Sequence, residues 1–418
     1  MKLRYKRTQA NEALLKWTIM SAALVSFIVT ISRIGKSAWQ AVAVGAMEPR
    51  FADLYTITEG NRCIREMNLN PLVYNPCDPL GRVMNYPRVW LHIAELTGNS
   101  PKLLACLILA IGFCGFLIYS YRINEPNFRI FYFGISILSP VALLGIERGN
   151  NDIAVLGICA VGIKLVTQSK DLHKIIGIML IFLASILKLF PVVCLLIVLV
   201  LMMLETGRKK VKCVAIASVL LFLLVIFHTW TDVEAILKGT PSPSSYAYGL
   251  GQSLSLVRSS RRGIIPIVYI SFLASLLLVH HAFAKNKIRT TLNKMKPFRV
   301  VIPRRQIEQQ LLLSAILFAS TLMVSSWAYR YVFAYLLIPP LLDLKIQIRN
   351  ELRRGMIDKA MLLIVIVSVL LPIQGGSGIS LEFTSALTTP ICLFVVGICF
   401  GLALLPEMRI TRTNREAS

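Results

Sequence analysis

The chain has 418 residues, of which 56% are hydrophobic and 16% are charged, and its mean hydropathy is +0.67. A soluble domain of this length carries more charge, so this composition excludes an ordinary soluble protein. The net charge of +24 does not indicate a nucleic-acid partner, because Lys and Arg stand in short tracts between apolar runs. We therefore expect an all-α polytopic membrane protein in which residues 1–418 form a single integral domain. About 12 transmembrane helices, including broken or short hairpins, would account for the apolar runs.

The basic tracts predict the orientation of the chain. The first, "MKLRYKR", precedes the apolar run from Leu14 to Ile31, which lacks a clear small-residue cleavage site and is expected to act as an anchor. The tracts that follow are "YRINEPNFR", "QSKDLHK", "ETGRKKVK", "KNKIRTTLNKMKPFRVVIPRR", "KIQIRNELRRGMIDK" and "PEMRITRTNREAS". Because Lys and Arg concentrate in cytoplasmic loops, we expect a multi-pass protein of the plasma (inner) membrane with both termini in the cytoplasm.

Between the basic tracts, three excursions to the outer side turn at a polar sequence. Residues 130–168 turn at "ERGNND", residues 175–204 turn near "KLFP", and residues 311–344 turn at "SSWAYRY". The second excursion, at about 1.5 Å per helical residue, is too long for one upright span and too short for two full ones. Pro191 removes a backbone donor and disfavours helix at Phe190, so we expect two shortened helices with a break beside Lys188.

Two longer loops are expected on the same outer side. The first, residues 33–101, contains "PRFADLYTITEGNRCIREM", whose apolar residues recur near helical spacing and predict a helix lying in the membrane interface. Prolines then predict irregular chain, and Cys63 and Cys77 can form a disulfide in an oxidising compartment. The second loop, residues 231–263, contains "GTPSPSSYAYGLGQ", a flexible segment of the kind used for lids.

Ionisable residues near membrane depth are costly and mark functional cavities. Arg148, Lys188 and Arg330 come one from each polar turn, and we expect them to meet beneath the loop that carries Asp53. Three cations and a carboxylate suggest a phosphate-binding site beside a general base. Further candidates for cavity or acceptor binding are Tyr86, Asn150, Asn151, Asp152, Trp327 and Tyr329. The five His residues form no zinc-type pattern with acids or cysteines, so we expect no metal and no cofactor.

Each of these residues also has a structural interpretation. The aspartate of the first loop can be a polar residue on an interfacial helix. Lys188 can extend to lipid headgroups. Arg148 and Arg330 can neutralise Glu147 and Asp152, because charges within the membrane usually pair. The aromatic residues just before Arg330 can belong to the belt of Trp and Tyr at the membrane interface.

The order of several motifs resembles the GT-C superfamily of membrane glycosyltransferases, closest to glycosyltransferase family 87. These motifs are Asp-Leu-x-x-x-Thr from Asp53, "NYPRVW", "RGNND", "KLFP" and "SWAYRYVFAYLLIP", and they span most of residues 50–340. The resemblance implies that Asp53 is the catalytic base and that the cavity includes Arg148, Gly149, Asn150, Lys188 and Pro191. Many GT-C enzymes have two adjacent acidic residues in this loop, whereas here Glu48 and Glu59 are too distant in sequence, so a metal requirement is not implied.

The activity that this resemblance implies is transfer of a hexose or pentose from a polyprenyl-phosphate donor to an acceptor hydroxyl. The acceptor would be a glycolipid or a cell-envelope glycan on the outer, periplasmic side of the membrane. Asp53 would take the hydroxyl proton, with inversion at the sugar, while Arg148, Lys188 or Arg330 would stabilise the departing phosphate. No cofactor is implied, and the partners are the donor, the acceptor and the bilayer.

Two other classes of function remain open on the sequence. A transporter or lipid flippase with about twelve spans also uses broken helices near the midplane. The large first outer loop and the lack of a visible repeat between the two halves argue against it. A lipid-linked glycan polymerase or ligase would also use outer-loop arginines, but it would not require Asp53.

Overall fold

The computed structural model describes residues 2–42, 44–121, 123, 126–205, 207–240, 247–248, 312, 326–347 and 351–373. These residues are predominantly helical. The first half contains α1 (Lys2–Ile34), α2 (Lys36–Ala41), α3 (Ala52–Met67), α4 (Val89–Leu96), α5 (Pro101–Ser120), α6 (Pro126–Leu138) and α7 (Pro140–Arg148). It continues with α8 (Asp152–Val166), α9 (Asp171–Leu187), α10 (Val192–Leu204), α11 (Lys209–His228) and α12 (Trp230–Gly239). A short antiparallel pair, β1 (Ala247–Tyr248) and β2 (Ser326–Trp327), precedes a 3₁₀ helix (Ala328–Leu337), α13 (Ile338–Gln347) and α14 (Glu351–Ile373).

Several helices have the length and composition of membrane spans. Among the described residues, α5 and α11 are each long and apolar enough to cross a bilayer. Phe128–Leu138 and Pro140–Arg148 together make a third span if the 55° bend between them is accepted as a break within one span. Thr18–Ile34 and Val192–Met203 are shorter apolar helices. The described part of the chain therefore contains two or three membrane-span candidates, fewer than the total of about 12 expected from the apolar runs.

The breaks between helices follow local sequence. Lys188 has an extended backbone, with φ −153° and ψ 134°, between the end of α9 and the start of α10, which confirms the predicted break beside this residue. Residues 130–168 were expected to turn only at "ERGNND", but the structure adds a break at Ser139. Pro140 opens α7, and the Ser139 Oγ accepts a hydrogen bond from the Ala142 N–H, so α6 and α7 are separate helices.

Residues 33–101, predicted to form the first outer loop, have more regular structure than their prolines suggest. The predicted helix in their first part is confirmed as α3, which buries Leu54, Ile57 and Cys63 and exposes Arg62. The buried Asn61 donates hydrogen bonds to the Leu91 carbonyl and to the Asn99 side chain. These bonds attach α3 to the segment containing α4.

The segment predicted to form a flexible second outer loop from residue 231 instead begins within a helix. α12 continues to Gly239, and beyond Thr240 the predicted loop lies outside the described residues except for the backbone of β1. The Arg88 guanidinium donates to both oxygens of Asp232, at 2.6 and 3.0 Å. A Cβ on Gly239 would lie 2.7 Å from a Val83 methyl group, so α12 packs closely on the first loop.

Helix α8 is packed through glycines on both of its neighbours. A Cβ on Gly115 of α5 would lie 2.4 Å from the Gly157 carbonyl oxygen, and one on Gly157 would lie 2.5 Å from the Ile111 carbonyl oxygen. On the α9 side, a Cβ on Gly177 would lie 2.5 Å from the Val166 nitrogen. Small residues that allow such close backbone approach are typical of helix contacts in membranes. The two ends of α8 are thereby held at fixed positions relative to α5 and α9.

A disulfide between Cys63 and Cys77 joins α3 to the irregular chain that follows it. The two Cα atoms are 5.8 Å apart, a separation that suits a disulfide. The sequence allowed this bond, and the structure contains it.

We expect Gly157→Ala to destabilise the protein, because the new methyl group has no space between α8 and α5. Overpacking of this kind costs about 1–3 kcal/mol. Gly355→Ala on α14 is the matched control, since nothing lies within 4 Å of a Cβ built there. Thermal unfolding of the detergent-solubilised variants should give a lower midpoint for Gly157→Ala only. Equal midpoints for the two variants would show that the close contact of α5 and α8 is absent in solution.

We also expect Cys63→Ser to destabilise the protein, because it removes the disulfide between Cys63 and Cys77. Closing a loop of about 15 residues is worth roughly 3 kcal/mol in the chain-entropy model. In the wild-type protein, a maleimide reagent should label Cys63 and Cys77 only after reduction under denaturing conditions. Labelling of both cysteines without reduction would contradict the disulfide.

Candidate functional site

The turn between α7 and α8, residues 147–152, is buried although its sequence is "ERGNND". Glu147, Arg148, Asn150, Asn151 and Asp152 are each at most 8% exposed. Buried polar groups require hydrogen-bond partners, so this turn must be surrounded by complementary groups. Gly149 ends α7 in the left-handed region, with φ 66°, and a Cβ there would lie 2.9 Å from the Leu54 side chain. The turn is therefore in direct contact with α3, the helix that carries Asp53.

The first two residues of the turn bind the chain that precedes α3. The Met47 N–H donates to Glu147 Oε1 at 2.7 Å, and the Arg148 guanidinium donates to the Gly45 carbonyl at 2.9 Å. Arg148 Nε lies 3.1 Å from Glu147 Oε2. Arg148 is thus held by Glu147 and the Gly45 carbonyl, as in the alternative in which it neutralises Glu147. The expectation that it meets Lys188 and Arg330 stays a prediction.

The next residue of the turn connects to the predicted catalytic base. Asn150 Nδ2 donates to Asp53 Oδ2 at 2.7 Å and to the Tyr86 hydroxyl at 3.3 Å. The side-chain oxygen of Asn150, Oδ1, accepts from the Asp152 N–H at 2.9 Å, which fixes the orientation of the side-chain amide. Asp53 lies in the first turn of α3, and its side chain is 16% exposed. The carboxylate is thus held by Asn150 while part of it stays accessible.

Lys188 and Arg330 meet on the carboxylate of Asp152. Lys188 Nζ lies 3.3 Å from Asp152 Oδ1, and Arg330 Nε donates to Asp152 Oδ2 at 3.0 Å. Lys188 also donates to Asn151 Oδ1 at 2.8 Å and lies 4.2 Å above the Tyr86 ring. Each cation is 8% exposed, so the alternative in which Lys188 extends to lipid headgroups is wrong. The alternative in which Arg330 neutralises Asp152 describes the geometry correctly.

Asn151 presents a buried donor to this cluster. Because the Lys188 ammonium can only donate, the side-chain oxygen of Asn151, Oδ1, must face it. The other polar atom of this side chain is the amide nitrogen, Nδ2. Asn151 is 1% exposed, and among the described residues its Nδ2 has no hydrogen-bond partner. An acceptor atom of a ligand entering beside Lys188 would satisfy this donor.

Sequence reasoning missed two residues beside Asp53. Arg82 and Asp78, four residues apart, form a two-point ion pair, and Arg82 Nη1 lies 3.4 Å from Asp53 Oδ1. Burial opposes the charged form of Arg82, but the hydrogen bond and charge of Asp78 raise the pKa of the guanidinium above its usual value. The signal was present in "DPLGR", where an acid and a base flank a Pro-Leu-Gly turn. The prolines of this segment predict only irregular chain.

The remaining predicted site residues are described less completely. Trp327 belongs to β2 and Tyr329 to the 3₁₀ helix, but their side chains lie outside the described residues. Within the described residues, no group of three or more His, Cys, Asp or Glu side chains could hold a metal ion.

Comparison of the chain with models of protein families, with curated proteins and with solved structures finds no match in any of the three. The resemblance to GT-C glycosyltransferases therefore rests on the motifs of this chain. The roles that it implies for Asp53, Lys188 and Arg330 stay predictions.

We expect Asp152→Asn to destabilise the protein strongly, because it leaves Lys188 and Arg330 buried without their shared carboxylate. Breaking a buried ion pair by removing one partner costs about 3–5 kcal/mol. Lys188→Met should cost less, since Asp152 retains Arg330, and the double variant Asp152→Asn/Lys188→Met should be more stable than Asp152→Asn alone. Denaturant unfolding of the purified variants measures these differences. Additive effects of the two changes would show that Lys188 and Asp152 do not interact.

Proposed function

We propose that this protein is a membrane glycosyltransferase of the GT-C type. It transfers a hexose or pentose from a polyprenyl-phosphate donor to a hydroxyl of a glycolipid or cell-envelope glycan. The observation that carries this proposal is the bond from Asn150 to Asp53. Asn150 binds the partly accessible carboxylate of Asp53, and the next two residues, Asn151 and Asp152, bind the buried cations. The bond therefore connects Asp53 to Lys188 and Arg330.

This arrangement supports a general-base mechanism. Asp53 accepts the proton of the acceptor hydroxyl as its oxygen forms a bond to the anomeric carbon of the sugar. The bond between that carbon and the donor phosphate oxygen breaks, which gives inversion and leaves polyprenyl phosphate. Lys188 and Arg330 stabilise the negative charge that develops on the phosphate, and Asn151 Nδ2 donates to one of its oxygens.

Asp53 has the acceptor capacity that this role requires. An ionised carboxylate offers about four lone-pair positions. Asn150 uses one of them at 2.7 Å, and the contact with Arg82 Nη1 at 3.4 Å is long. The 16% exposure of the side chain provides access for an acceptor hydroxyl.

The proposal also includes the placement of the protein in the membrane. We infer a multi-pass protein of about 12 spans with cytoplasmic termini and the site on the outer side, on the basis of the Lys and Arg tracts. The disulfide between Cys63 and Cys77 supports this orientation, because disulfides persist in oxidising compartments. The donor would then approach from the outer leaflet on its own lipid, and no nucleotide-binding domain is required.

The test of this function begins with Asp53→Asn. Asn is nearly isosteric with Asp but cannot take the proton, so we expect turnover to fall by about 10²–10⁴-fold, equivalent to roughly 3–5.5 kcal/mol of barrier. The assay incubates purified protein with polyprenyl-phosphate hexoses and pentoses and an acceptor glycolipid, and it measures released polyprenyl phosphate.

The matched control is Glu66→Gln, which removes a 62% exposed carboxylate from the same helix. This variant should keep wild-type turnover. A loss of less than about tenfold in Asp53→Asn would show that Asp53 is not the base, because a positioned base contributes more than this. Absence of turnover by the wild-type protein on every donor of the panel would contradict the proposed function itself, and would favour a transporter, a flippase or a glycan ligase.

A further inference from the structure

The turn after Cys77 holds one arginine in a fixed position. The Asp78 side chain is fully buried and accepts four hydrogen bonds, two from the Leu80 and Arg82 backbone N–H groups and two from the Arg82 guanidinium. Two-point contact between guanidinium and carboxylate fixes the plane of both groups. The conformation of Arg82 is therefore set by its own turn and does not depend on a ligand.

The guanidinium held in this way reaches the start of α3. Arg82 Nη2 donates to the Ala52 carbonyl, and Arg82 Nη1 lies 3.4 Å from Asp53 Oδ1. The other carboxylate oxygen, Oδ2, accepts from Asn150. The Asp53 carboxylate thus lies between a cation from the first outer loop and an amide from the turn between α7 and α8.

The arginine turn is also attached covalently to the helix that it contacts. Cys77, which immediately precedes Asp78, is bonded to Cys63 of α3. Arg82 side-chain atoms are only 25% exposed, so the contact with Asp53 is partly shielded from water. The pair with Asp78, the hydrogen bond to the Ala52 carbonyl and the disulfide therefore all hold Arg82 beside Asp53.

We propose that Arg82, fixed by Asp78, is a positioning residue that orients the Asp53 carboxylate. Arg82 acts through Asp53 and does not itself contact the reacting atoms. This inference rests on the proposed function, in which Asp53 is the general base. It predicts that loss of Arg82 impairs the chemical step more than donor binding.

The kinetic test compares Arg82→Ala, Arg82→Lys and the control Arg88→Ala. Arg88 belongs to the same loop, but it binds Asp232 and Asn70. Arg82→Ala should lower kcat by about 10²-fold, the scale of effect expected when a reacting group is misplaced by about 1 Å, with donor KM within about twofold of wild type. Arg82→Lys, or methylguanidine added to Arg82→Ala, should restore part of kcat.

Two kinetic outcomes would overturn the proposal. One is a fall in kcat that neither lysine nor methylguanidine reverses, because such a loss reflects structural damage. The other is a rise in donor KM with unchanged kcat, which would make Arg82 a binding residue. If Arg82→Ala does not fold, Arg82→Gln takes its place in the same comparison, with the intact Cys63–Cys77 bond as the check of folding.

A second measurement needs no substrate. Carbodiimide labelling of Asp53, followed by peptide mass spectrometry, reports how firmly the carboxylate is held by its partners. Labelling should be about two- to fivefold faster in Arg82→Ala than in wild type, the range that corresponds to the free energy of a partly exposed ion pair, and unchanged in Arg88→Ala. Unchanged labelling in Arg82→Ala would overturn the proposal for Arg82. If the wild-type protein turns over no donor, the proposed function fails, and this labelling still decides whether Arg82 holds Asp53.

Discussion

A carboxylate buried at the start of α8 imposes the main constraint on this structure. Asp152 is 1% exposed, and an ionised group at that depth is costly unless cations and hydrogen bonds compensate for its lost hydration. Lys188 supplies one cation from the break between α9 and α10, and Arg330 supplies the other from the 3₁₀ helix. Segments that are distant in sequence are therefore joined at one point. The glycine contacts of α8 with α5 and α9 keep that point in place.

The remaining polar residues of the turn extend this junction to residues 45–53. Glu147 and Arg148 bind the chain before α3, while Asn150 binds Asp53. The same contacts hold the fold together and shape the candidate site. Loss of activity on changing a residue of this turn can consequently reflect loss of structure, so only variants with matched controls on the same element separate the two effects. Asp53 is the more informative residue, because its side chain lies at the margin of the network and is partly exposed.

The segment predicted to form the first outer loop is an ordered part of the candidate site. The disulfide joins the segment to α3, and the pair of Arg88 with Asp232 joins it to α12. Asp78 holds Arg82 against the start of α3. The proline-rich sequence lacks regular secondary structure over residues 68–88, but these contacts fix its path. An irregular segment of this kind can position a catalytic group as firmly as a helix does, provided that its polar atoms are paired.

The sequence by itself determined the elements whose cause is local. Composition predicted a predominantly helical chain with apolar membrane-span candidates, helical spacing predicted α3, and Pro191 predicted the break beside Lys188. It also predicted that Asp53, Asn150, Lys188 and Arg330 belong to one site, and the structure connects these residues through the turn between α7 and α8. The helix and the break were predictable because backbone geometry depends on neighbouring residues, and the buried charges stood out because a charge in an apolar run is costly.

Tertiary structure alone decided which charges pair. The sequence allowed Arg148 either to bind phosphate or to neutralise Glu147. In the structure its guanidinium contacts Glu147 and the Gly45 carbonyl. The tertiary structure likewise brought Arg82, unnoticed in an irregular segment, to within 3.4 Å of Asp53. Ion pairs depend on distances between segments that are far apart in the chain. No local pattern fixes those distances, since they follow from how the helices and the disulfide-linked loop pack together.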